Sequence, residues 1–208
     1  HGGAVLAERV SGVVNTNDLK NIFVESKRTI SKLVKPLVKN GDCIFLDSST
    51  TSYYVSDELK DMHITVVTNS LDILTKLSRF PNINLIAIGG NLSRSRKCFV
   101  GINAIKILQN YYFDIALLSC RTLSLTEGVT DSNDEEAEIK RLVSERTRSL
   151  VLMADYSKFN KVSFTKIFDI NAIDYLITDK PLANKWIEYM ETHEIAYLDT
   201  TQKEDDDI

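Results

Sequence analysis

Hydrophobic residues in this chain gather in short runs that are nearly continuous, and a polar segment follows most of them. Runs of this length without alternation are typical of strands that are covered on both faces, as in a parallel sheet. Seven strands are predicted on this basis, at CIFLD (43–47), ITVVTN (64–69), NLIAIGG (84–90), DIALLS (114–119), LVLMAD (150–155), YLITD (175–179) and IAYLD (195–199).

Between these runs the apolar residues recur at mixed spacings of three and four, which is typical of helices. The longest such segment covers residues 19–40, where Asn17 or Asp18 can act as the N-cap. Pro36 can kink this helix near its end. Further helices are predicted near residues 51–60, 70–79, 101–110, 134–148 and 182–193.

The strand and helix patterns alternate along the chain. A repeated strand–helix–strand order predicts an α/β fold, in which a mostly parallel sheet carries helices on both faces. Ligands of such sheets bind outside the carboxyl ends of the strands, so the loops that follow the strands form the candidate site. These loops are DSSTTS, TNS, GGNLSRSR, SCRTLSLTEG, ADYSKF and TDKP.

The composition fits one globular domain, with or without a small appendage, since the chain has 208 residues, of which 43% are hydrophobic. The net charge of −4 argues against a surface that holds nucleic-acid phosphates, because such surfaces are strongly basic. No apolar run approaches the roughly 20 residues needed to cross a bilayer, and no signal peptide precedes the fold. We therefore expect a cytoplasmic protein that does not contact a membrane.

The residues that usually carry metal or redox chemistry are few and scattered. Cys43, Cys98 and Cys120 lie far apart without a CxxC motif, and the three histidines have no partners at ligand spacing. No GxSxG frame supports a catalytic triad, and a general base would have to be a carboxylate such as Asp131 or Glu136. We expect neither a metal nor a cofactor, and we assign no catalytic residue.

A run of hydroxyl residues follows the strand that ends at Asp47 and leads into a predicted helix. The run is Ser48, Ser49, Thr50, Thr51 and Ser52. The start of a helix offers unpaired amides and the positive end of its dipole, and hydroxyl groups add further donors for a phosphate. An ordinary helix cap is the alternative interpretation. The loop lacks the GxxxxGK[ST] pattern of nucleotide triphosphatases.

Two neighbouring loops carry similar signals. Asn69 and Ser70 can cap the next helix, and Asn69 can alternatively bind a ligand hydroxyl. Gly89 and Gly90 allow either a tight turn or a close approach by a ligand. A basic segment follows, which is interpreted as a solvated loop with anion binding as the alternative: Arg94, Arg96 and Lys97.

Three charged residues are candidates with two interpretations each. Arg121 follows an apolar strand, where it either faces the mouth of the site or forms a structural ion pair. Glu136 lies near a helix start, where it either complements the dipole and pairs with Lys140 or faces a sugar. Lys158 is the strongest single candidate to bind a phosphate or an acidic group, against an ordinary surface role.

The order of these motifs resembles the effector-sensing part of the DeoR family, which are bacterial repressors of sugar metabolism. The resemblance extends over about residues 1–199 and depends on eight short motifs in order. These are HGGA, IFLDSSTTSYYVSDEL, ITVVTNSLDIL, LIAIGGNLSRSRKCFVG, FDIALLS, EGVTDSNDEEAEIKRLV, LMADYSKF and IDYLITD.

The resemblance implies a Rossmann-like three-layer sandwich, like that of ribose-5-phosphate isomerase, glucosamine-6-phosphate deaminase and CoA transferases. It also implies that residues 1–18 are a linker after an N-terminal winged helix-turn-helix that is absent here. Residues 19–199 would form the effector-sensing domain, and residues 200–208 an acidic tail. DNA would be contacted only through the absent domain, and the chain would self-associate as a dimer or tetramer.

The resemblance further implies that the ligand is a phosphorylated sugar or sugar alcohol. The loop from Ser48 to Ser52 would correspond to the phosphate-binding loop of the related isomerases. Asn69, the Gly89-Gly90 pair and Lys158 match recurrent positions around the same cleft. Family members often carry GADG after the fourth strand, whereas this chain has SCRT, which makes Arg121 a candidate specificity residue.

We therefore predict the effector-binding domain of a DeoR-type repressor, and not an enzyme. The phosphate would bind the hydroxyl loop with Lys158 or Arg121 as the countercharge, and sugar hydroxyls would meet Asp47, Asn69 and Glu136. The alternatives are a phosphosugar isomerase or deaminase on the same scaffold, and a scaffold that only oligomerises. The sequence does not identify the sugar, the operator or the direction of regulation.

Overall fold

The structure is a computed structural model, and it describes residues 8–9 and 19–202. Within these residues the strands are β1 (Glu8–Arg9), β2 (Cys43–Leu46), β3 (Thr65–Thr68), β4 (Asn84–Ala87), β5 (Asn91–Ser93), β6 (Cys98–Val100), β7 (Ile115–Ser119), β8 (Thr122–Ser124), β9 (Gly128–Asp131), β10 (Leu150–Met153), β11 (Lys161–Val162), β12 (Thr165–Phe168), β13 (Tyr175–Ile177) and β14 (Ala196–Leu198).

Seven of these strands form one sheet in the order β14–β13–β10–β7–β2–β3–β4, and every neighbouring pair is parallel. They coincide with the seven predicted strands, so the prediction of a parallel α/β fold is confirmed. Each strand is slightly shorter than its apolar run, because polar residues at the run ends leave the ladder. Asp47, for example, turns its carboxylate to the amide of Ser49 instead of continuing β2.

All six predicted helices are present within the described residues. They are α1 (Val24–Val34), α2 (Thr50–Leu59), α3 (Leu71–Leu77), α4 (Ile102–Leu108), α5 (Asp134–Ser144) and α6 (Asn184–Thr192). None of the helices in this part of the chain is long and apolar enough to span a lipid bilayer.

The first predicted helix is interrupted: Leu19 and Lys20 are helical, a turn follows at residues 21–23, and α1 begins at Val24. Phe23 precedes it with a φ of 53° and a ψ of 42°, which is a left-handed conformation. Because right-handed helices exclude that conformation, the chain bends sharply at Phe23 before it enters α1. The predicted caps, Asn17 and Asp18, lie outside the described residues.

The C-terminal end of α1 also differs from the kink predicted at Pro36. The helix stops at Val34, and a 3₁₀ turn follows at Lys35–Leu37, because Pro36 has no amide hydrogen for the next helical bond. Other 3₁₀ turns are Tyr156–Lys158, Ile170–Ala172 and Thr200–Gln202. Most of the predicted acidic tail, residues 203–208, lies outside the described residues.

The central sheet directs alternate side chains into two apolar cores, one on each face. On β2, Phe45 belongs to the core that α4, α5 and α6 cover, whereas Ile44 and Leu46 belong to the core that α1, α2 and α3 cover. Leu118 and Leu117 of β7 alternate in the same way. Helices therefore cover both faces, which confirms the predicted three-layer α/β sandwich.

Six short strands were not predicted, namely β5, β6, β8, β9, β11 and β12. The strands β8, β9 and β12 form an antiparallel sheet, β5 and β6 form a hairpin, and β1 pairs in parallel with β11. None of these strands exceeds four residues, which is too short to show a period of two in the sequence. Some of their residues form walls around the carboxyl edge of the central sheet.

Gly90 permits the tight turn between β4 and β5. Its φ is 151°, and a β-carbon placed there would lie 2.6 Å from the carbonyl oxygen of Val100. Gly89 is different, because a β-carbon at that position would meet no atom within 4 Å. Only the second glycine of the pair is therefore required by the close approach of β6.

The substitution Gly90→Ala is expected to lower the free energy of unfolding by about 2 kcal/mol or more, because it combines backbone strain with a steric clash. The matched control Gly89→Ala is expected to change it by less than about 0.5 kcal/mol. Urea unfolding followed by circular dichroism measures both values. Equal losses for the two variants would contradict the assignment.

Candidate functional site

The carboxyl ends of β2, β7 and β10 open into a cleft of about 430 Å³. This volume lies in the range of small-molecule sites, roughly 300–1,000 Å³. The cleft is lined by Leu19, Ile22, Phe23, Lys27, Ser48, Ser49, Thr50, Thr51, Arg96, Ser119, Cys120, Arg121, Thr122, Asp131, Glu136, Lys140, Asp155, Ser157, Lys158 and Lys161.

The hydroxyl loop forms the part of the cleft that follows β2. Ser49 is the N-cap of α2, and its Oγ accepts a hydrogen bond from the amide of Ser52 at 3.0 Å. Thr50 and Thr51 occupy the first turn, where backbone amides have no intrahelical acceptor. The N-terminal end of α2 therefore presents amide and hydroxyl donors to the cleft, beside the positive end of the helix dipole.

Asp47 holds the hydroxyl loop in place from beneath. Its Oδ1 accepts hydrogen bonds from Ser52 Oγ at 2.6 Å and from the amide of Ser49 at 3.0 Å. Its Oδ2 accepts from the amide of Ser119 at 2.7 Å, which ties β2 to the end of β7. Asp47 is 1% exposed and is not among the lining residues, so its contacts in this structure are structural.

Lys140 of α5 is a buried cation at the base of the cleft. Its Nζ donates to Asp131 Oδ2 at 2.6 Å and lies 3.6 Å from Asp47 Oδ2. Burial alone would lower the pKa of Lys140, but the neighbouring carboxylates, Asp131 first, outweigh burial and raise it. Burial would likewise raise the pKa of Asp131, but the Lys140 ammonium outweighs it, so that pKa is lowered. Both groups are therefore charged at neutral pH.

A second ion pair lies beside the first. Arg96 donates through Nε to Glu136 Oε1 at 2.7 Å and through a terminal nitrogen to Oε2 at 3.3 Å. Ser48 Oγ donates to the same Oε2 at 3.1 Å. Asn133 is the N-cap of α5, and its Oδ1 accepts a hydrogen bond from the amide of Glu136 at 2.9 Å. This bond fixes the position of Glu136 in the first turn of the helix. Glu136 thus lines the cleft while it forms an ion pair with Arg96, and not with Lys140 as the sequence suggested. A contact between Glu136 and a sugar stays a prediction.

Lys158 reaches the cleft from the 3₁₀ turn after β10. Asp155 starts this turn by accepting a hydrogen bond from the amide of Ser157 at 3.1 Å. The Nζ of Lys158 donates to Ser119 Oγ at 2.8 Å and lies 3.7 Å from Asp155 Oδ2. Burial would raise the pKa of Asp155, but Lys158 and the bonds from Ser157 outweigh it and lower the pKa.

Lys27 of α1 is a buried cation that the sequence interpretation missed. Its Nζ donates to the carbonyl oxygens of Leu19 and Ile22, both at 2.5 Å. Burial and the nearby Lys158 ammonium lower the pKa of Lys27 to about 8, against the opposing attraction of Asp155. A lysine on the face that carries Ile30, three residues later, was the available signal.

The lining of the cleft is rich in positive charge, although the chain as a whole is acidic. The basic lining residues are Lys27, Arg96, Arg121, Lys140, Lys158 and Lys161. The acidic ones are Asp131, Glu136 and Asp155. This excess of cations, beside the start of α2, favours an anionic ligand. Among residues 19–202 no three His, Cys, Asp or Glu side chains are grouped so as to hold a metal ion.

The structure brings seven of the predicted site residues to the cleft: Ser48, Ser49, Thr50, Thr51, Arg121, Glu136 and Lys158. Asp47 and Ser52 lie beneath them as supports. Four other predicted residues are not among the lining residues: Asn69, Ser70, Gly89 and Gly90. Ligand binding by any of these residues stays a prediction.

The residues that do not line the cleft have other contacts. Ser70 caps α3, because its Oγ accepts from the amide of Ile73 at 3.3 Å. Asn69 holds β6 through two bonds to Phe99, one from its side-chain amide at 3.0 Å and one to its carbonyl oxygen at 2.9 Å. The contact of Ser70 agrees with the interpretation of this residue as a helix cap.

The fold and the cleft define a Rossmann-like α/β domain with a binding cleft at the carboxyl edge of its sheet. The model of the DeoR C terminal sensor domain matches residues 22–180. The chain therefore belongs to the DeoR C-terminal sensor domain family, and it is a sensor domain of the DeoR type of transcriptional regulator.

Two relatives agree with this assignment. The chain is 33% identical over 195 residues to the HTH-type transcriptional regulator YulB of Bacillus subtilis, covering 94% of this chain and 76% of YulB. It is 34% identical over 198 residues to the HTH-type transcriptional regulator IolR of the same organism, covering 94% of this chain and 78% of IolR.

Two solved structures are similar at low sequence identity. The eIF2B delta structure from Chaetomium thermophilum has a TM-score of 0.51 at 11% identity and covers 77% of this chain and 57% of that chain, which supports the fold alone. Ribose 5 phosphate isomerase A from Neisseria gonorrhoeae has a TM-score of 0.48 at 14% identity. That match covers 65% of this chain and about half of the isomerase, 53%.

The substitution Lys140→Met is expected to lower the free energy of unfolding by roughly 3–5 kcal/mol, because it leaves buried carboxylates without a countercharge. In this variant burial would hold the pKa of Asp131 above its unfolded value instead of below it. Folding then favours the protonated acid, so the deficit relative to the parent protein should shrink as the pH falls from 7 towards 5.

Urea unfolding at both pH values measures this effect. Lys166→Met is the matched control, because Lys166 makes only a surface ion pair with Asp169, and its cost should stay below about 1 kcal/mol at either pH. A deficit for Lys140→Met that is small, or that does not change with pH, would contradict the assigned charge pairs.

Proposed function

We propose that this domain binds a phosphorylated sugar and that binding changes how its regulator acts on DNA. The observation that supports this proposal is the pairing of the hydroxyl loop at the start of α2 with an excess of cations across the same cleft. Oriented amides, hydroxyl groups and lysine ammonium groups are the donors that suit phosphate oxygens.

The phosphate would bind at the first turn of α2. The amides of Thr50 and Thr51 would donate to its oxygens, as would the Ser49 hydroxyl once it releases Ser52 Oγ, to which it donates at 3.0 Å. Lys158 would supply the countercharge. A hydrogen bond to a charged group contributes about 1.5–3 kcal/mol, so these donors would supply much of the free energy of phosphate binding. The sugar would extend toward Glu136 and Arg121.

The geometry favours binding without turnover. Both candidate bases are held in ion pairs, Glu136 with Arg96 and Asp131 with Lys140. A carboxylate whose pKa is lowered, as that of Asp131 is, makes a weak general base. Burial raises the pKa of Cys120 to about 12, so its thiol stays protonated and is a poor nucleophile at neutral pH. We therefore propose a sensor and not an isomerase or deaminase.

The proposal also includes the domain organisation of the chain. The relatives are named as HTH-type regulators, and the chain covers 76% of one and 78% of the other. We propose that residues 1–18 link a DNA-binding unit to the sensing domain at residues 19–199, and that residues 200–208 are a tail. Self-association as a dimer or tetramer and a cytoplasmic location stay predictions of this hypothesis.

The effect of ligand binding would be transmitted from the cleft to the N-terminal side of the domain through residues 19–23. Leu19, Ile22 and Phe23 line the cleft, and Lys27 binds the carbonyl oxygens of the first two. A bound phosphate attracts the same ammonium group. Because a ligand shifts an equilibrium only by its different affinities for two states, competition for Lys27 gives occupancy a direct effect on this segment.

Phosphorylated sugars are expected to raise the melting temperature, whereas their unphosphorylated counterparts should not. At a hundredfold excess over Kd the stabilisation should be about 2.7 kcal/mol. Lys158→Gln should weaken binding about 10- to 100-fold, because it removes a charge-assisted bond. Differential scanning fluorimetry across a concentration series provides both values, and Lys166→Gln, on the exposed surface, is the matched control.

Two outcomes would contradict this proposal. Free sugars that stabilise as strongly as their phosphates would remove the role of the hydroxyl loop. If nuclear magnetic resonance shows that an aldose phosphate is converted to its ketose in the same samples, an enzymatic function is favoured instead.

Binding of a phosphate dianion at pH 8 is expected to take up protons. Lys27 has a pKa of about 8, so about half of these groups are neutral at this pH, and a neighbouring dianion raises the pKa. Calorimetry in two buffers with different ionisation enthalpies measures the uptake, which should approach about half a proton. Lys27→Gln should abolish it. Identical apparent enthalpies in both buffers would show that the phosphate does not approach Lys27.

A further inference from the structure

Arg121 is a cation in the cleft that no group among residues 19–202 neutralises. It follows β7, and its backbone amide donates to the carbonyl oxygen of Thr130 at 3.0 Å, which fixes it at the junction with the small antiparallel sheet. Its side chain lines the cleft and is partly buried. Within residues 19–202 its guanidinium group has no hydrogen-bond or ion-pair partner.

The acidic residues that line the cleft are already paired with other cations. Every lining acid already faces a cation: Asp131 with Lys140, Glu136 with Arg96, and Asp155 with Lys158. Lys27 binds carbonyl oxygens and forms no ion pair within the described residues, although Asp155 lies close enough to attract its charge. Lys27 and Arg121 are therefore lining cations that form no ion pair within the described residues.

These two cations belong to different walls of the cleft. Lys27 comes from α1, and its pKa responds to Lys158 and Asp155, so it lies on the side of the 3₁₀ turn after β10. Arg121 comes from the connection between β7 and β8, on the side of the small sheet. In the proposed pose the phosphate binds the α2 start and Lys158, so Arg121 remains for another group of the ligand.

A partly buried guanidinium without an anion is costly, and its planar donors match a carboxylate or a phosphate in two parallel bonds. Neutral sugar hydroxyl groups satisfy its hydrogen bonds but do not compensate its charge. The wall that contains Arg121 is therefore suited to a second anionic group.

We propose that the effector carries a second anionic group, remote from its first phosphate, and that Arg121 binds it. This inference rests on the proposed function and narrows its ligand class to phosphorylated sugar acids and sugar bisphosphates. The two classes share a second anion at the end of the sugar that faces Arg121, and they differ in whether it is a carboxylate or a phosphate.

A matched set of ligands tests the proposal: glucose 6-phosphate, 6-phosphogluconate, fructose 1,6-bisphosphate and gluconate. Calorimetry with the intact chain should show that at least one doubly anionic compound binds 10-fold or more tightly than the monophosphate. Arg121→Gln should reduce that affinity 10-fold or more and leave the monophosphate within about twofold, so that the preference disappears. The preferred compound identifies the second anion as a carboxylate or a phosphate.

Control variants separate the effect from folding and from general charge. Arg148→Gln removes an arginine that is exposed and makes only a long surface contact with Asp114, so the preference should persist. Arg121→Lys keeps the charge without the planar pair of donors and should retain part of the preference. This variant also provides the test if Arg121→Gln does not fold.

The outcomes distinguish this inference from the proposed function. Equal affinity for the monophosphate and the doubly anionic compounds, or an equal loss for all ligands in Arg121→Gln, would overturn the role of Arg121 and leave phosphate sensing intact. Binding of gluconate that requires Arg121, without any effect of phosphate, would support the second anion site and overturn the phosphate site. Binding of none of these compounds would overturn both.

Discussion

The buried carboxylate of Asp47 is the interaction on which the candidate site depends. One oxygen binds the hydroxyl of Ser52 and the amide of Ser49, and the other binds the amide of Ser119. A carboxylate this deeply buried is tolerated only when its oxygens are satisfied and a countercharge is near, which Lys140 provides at 3.6 Å. The same bonds set the start of α2 and join it to β7, so the geometry of the loop is fixed before any ligand arrives.

The cations of the cleft fall into two groups: some are held in ion pairs with carboxylates, and others remain available to a ligand. Lys140 and Arg96 are matched by carboxylates and support the base of the cleft. Lys27 is not matched in this way, and the depression of its pKa is a direct sign that its charge is unfavourable where it lies. An anion that enters the cleft relieves this cost, because it supplies the compensation that the protein lacks. The free domain is therefore electrostatically prepared for an anion.

The central sheet was predictable because its inner strands are buried on both faces, which leaves continuous apolar runs in the sequence. The small strands around the cleft were not, since two to four residues cannot display a period. The hydroxyl loop was visible because five such residues in a row are unusual. Lys27 was missed because a helical pattern does not reveal whether a lysine on the apolar side turns outward or inward. Arg96 was interpreted as solvated because its partner, Glu136, is 40 residues away in sequence.

Linkage between the cleft and the N-terminal side follows from the position of one ammonium group. Lys27 is bound to residues that precede α1 and also lies close enough to Lys158 for their charges to interact. If the proposed phosphate attracts that ammonium group, it weakens the hydrogen bonds from Lys27 to the carbonyl oxygens of Leu19 and Ile22. Coupling of this kind is reciprocal, so whatever holds residues 19–23 in place must change the affinity of the cleft by the same factor. A DNA-binding unit attached on that side would then respond to the ligand without any contact with it.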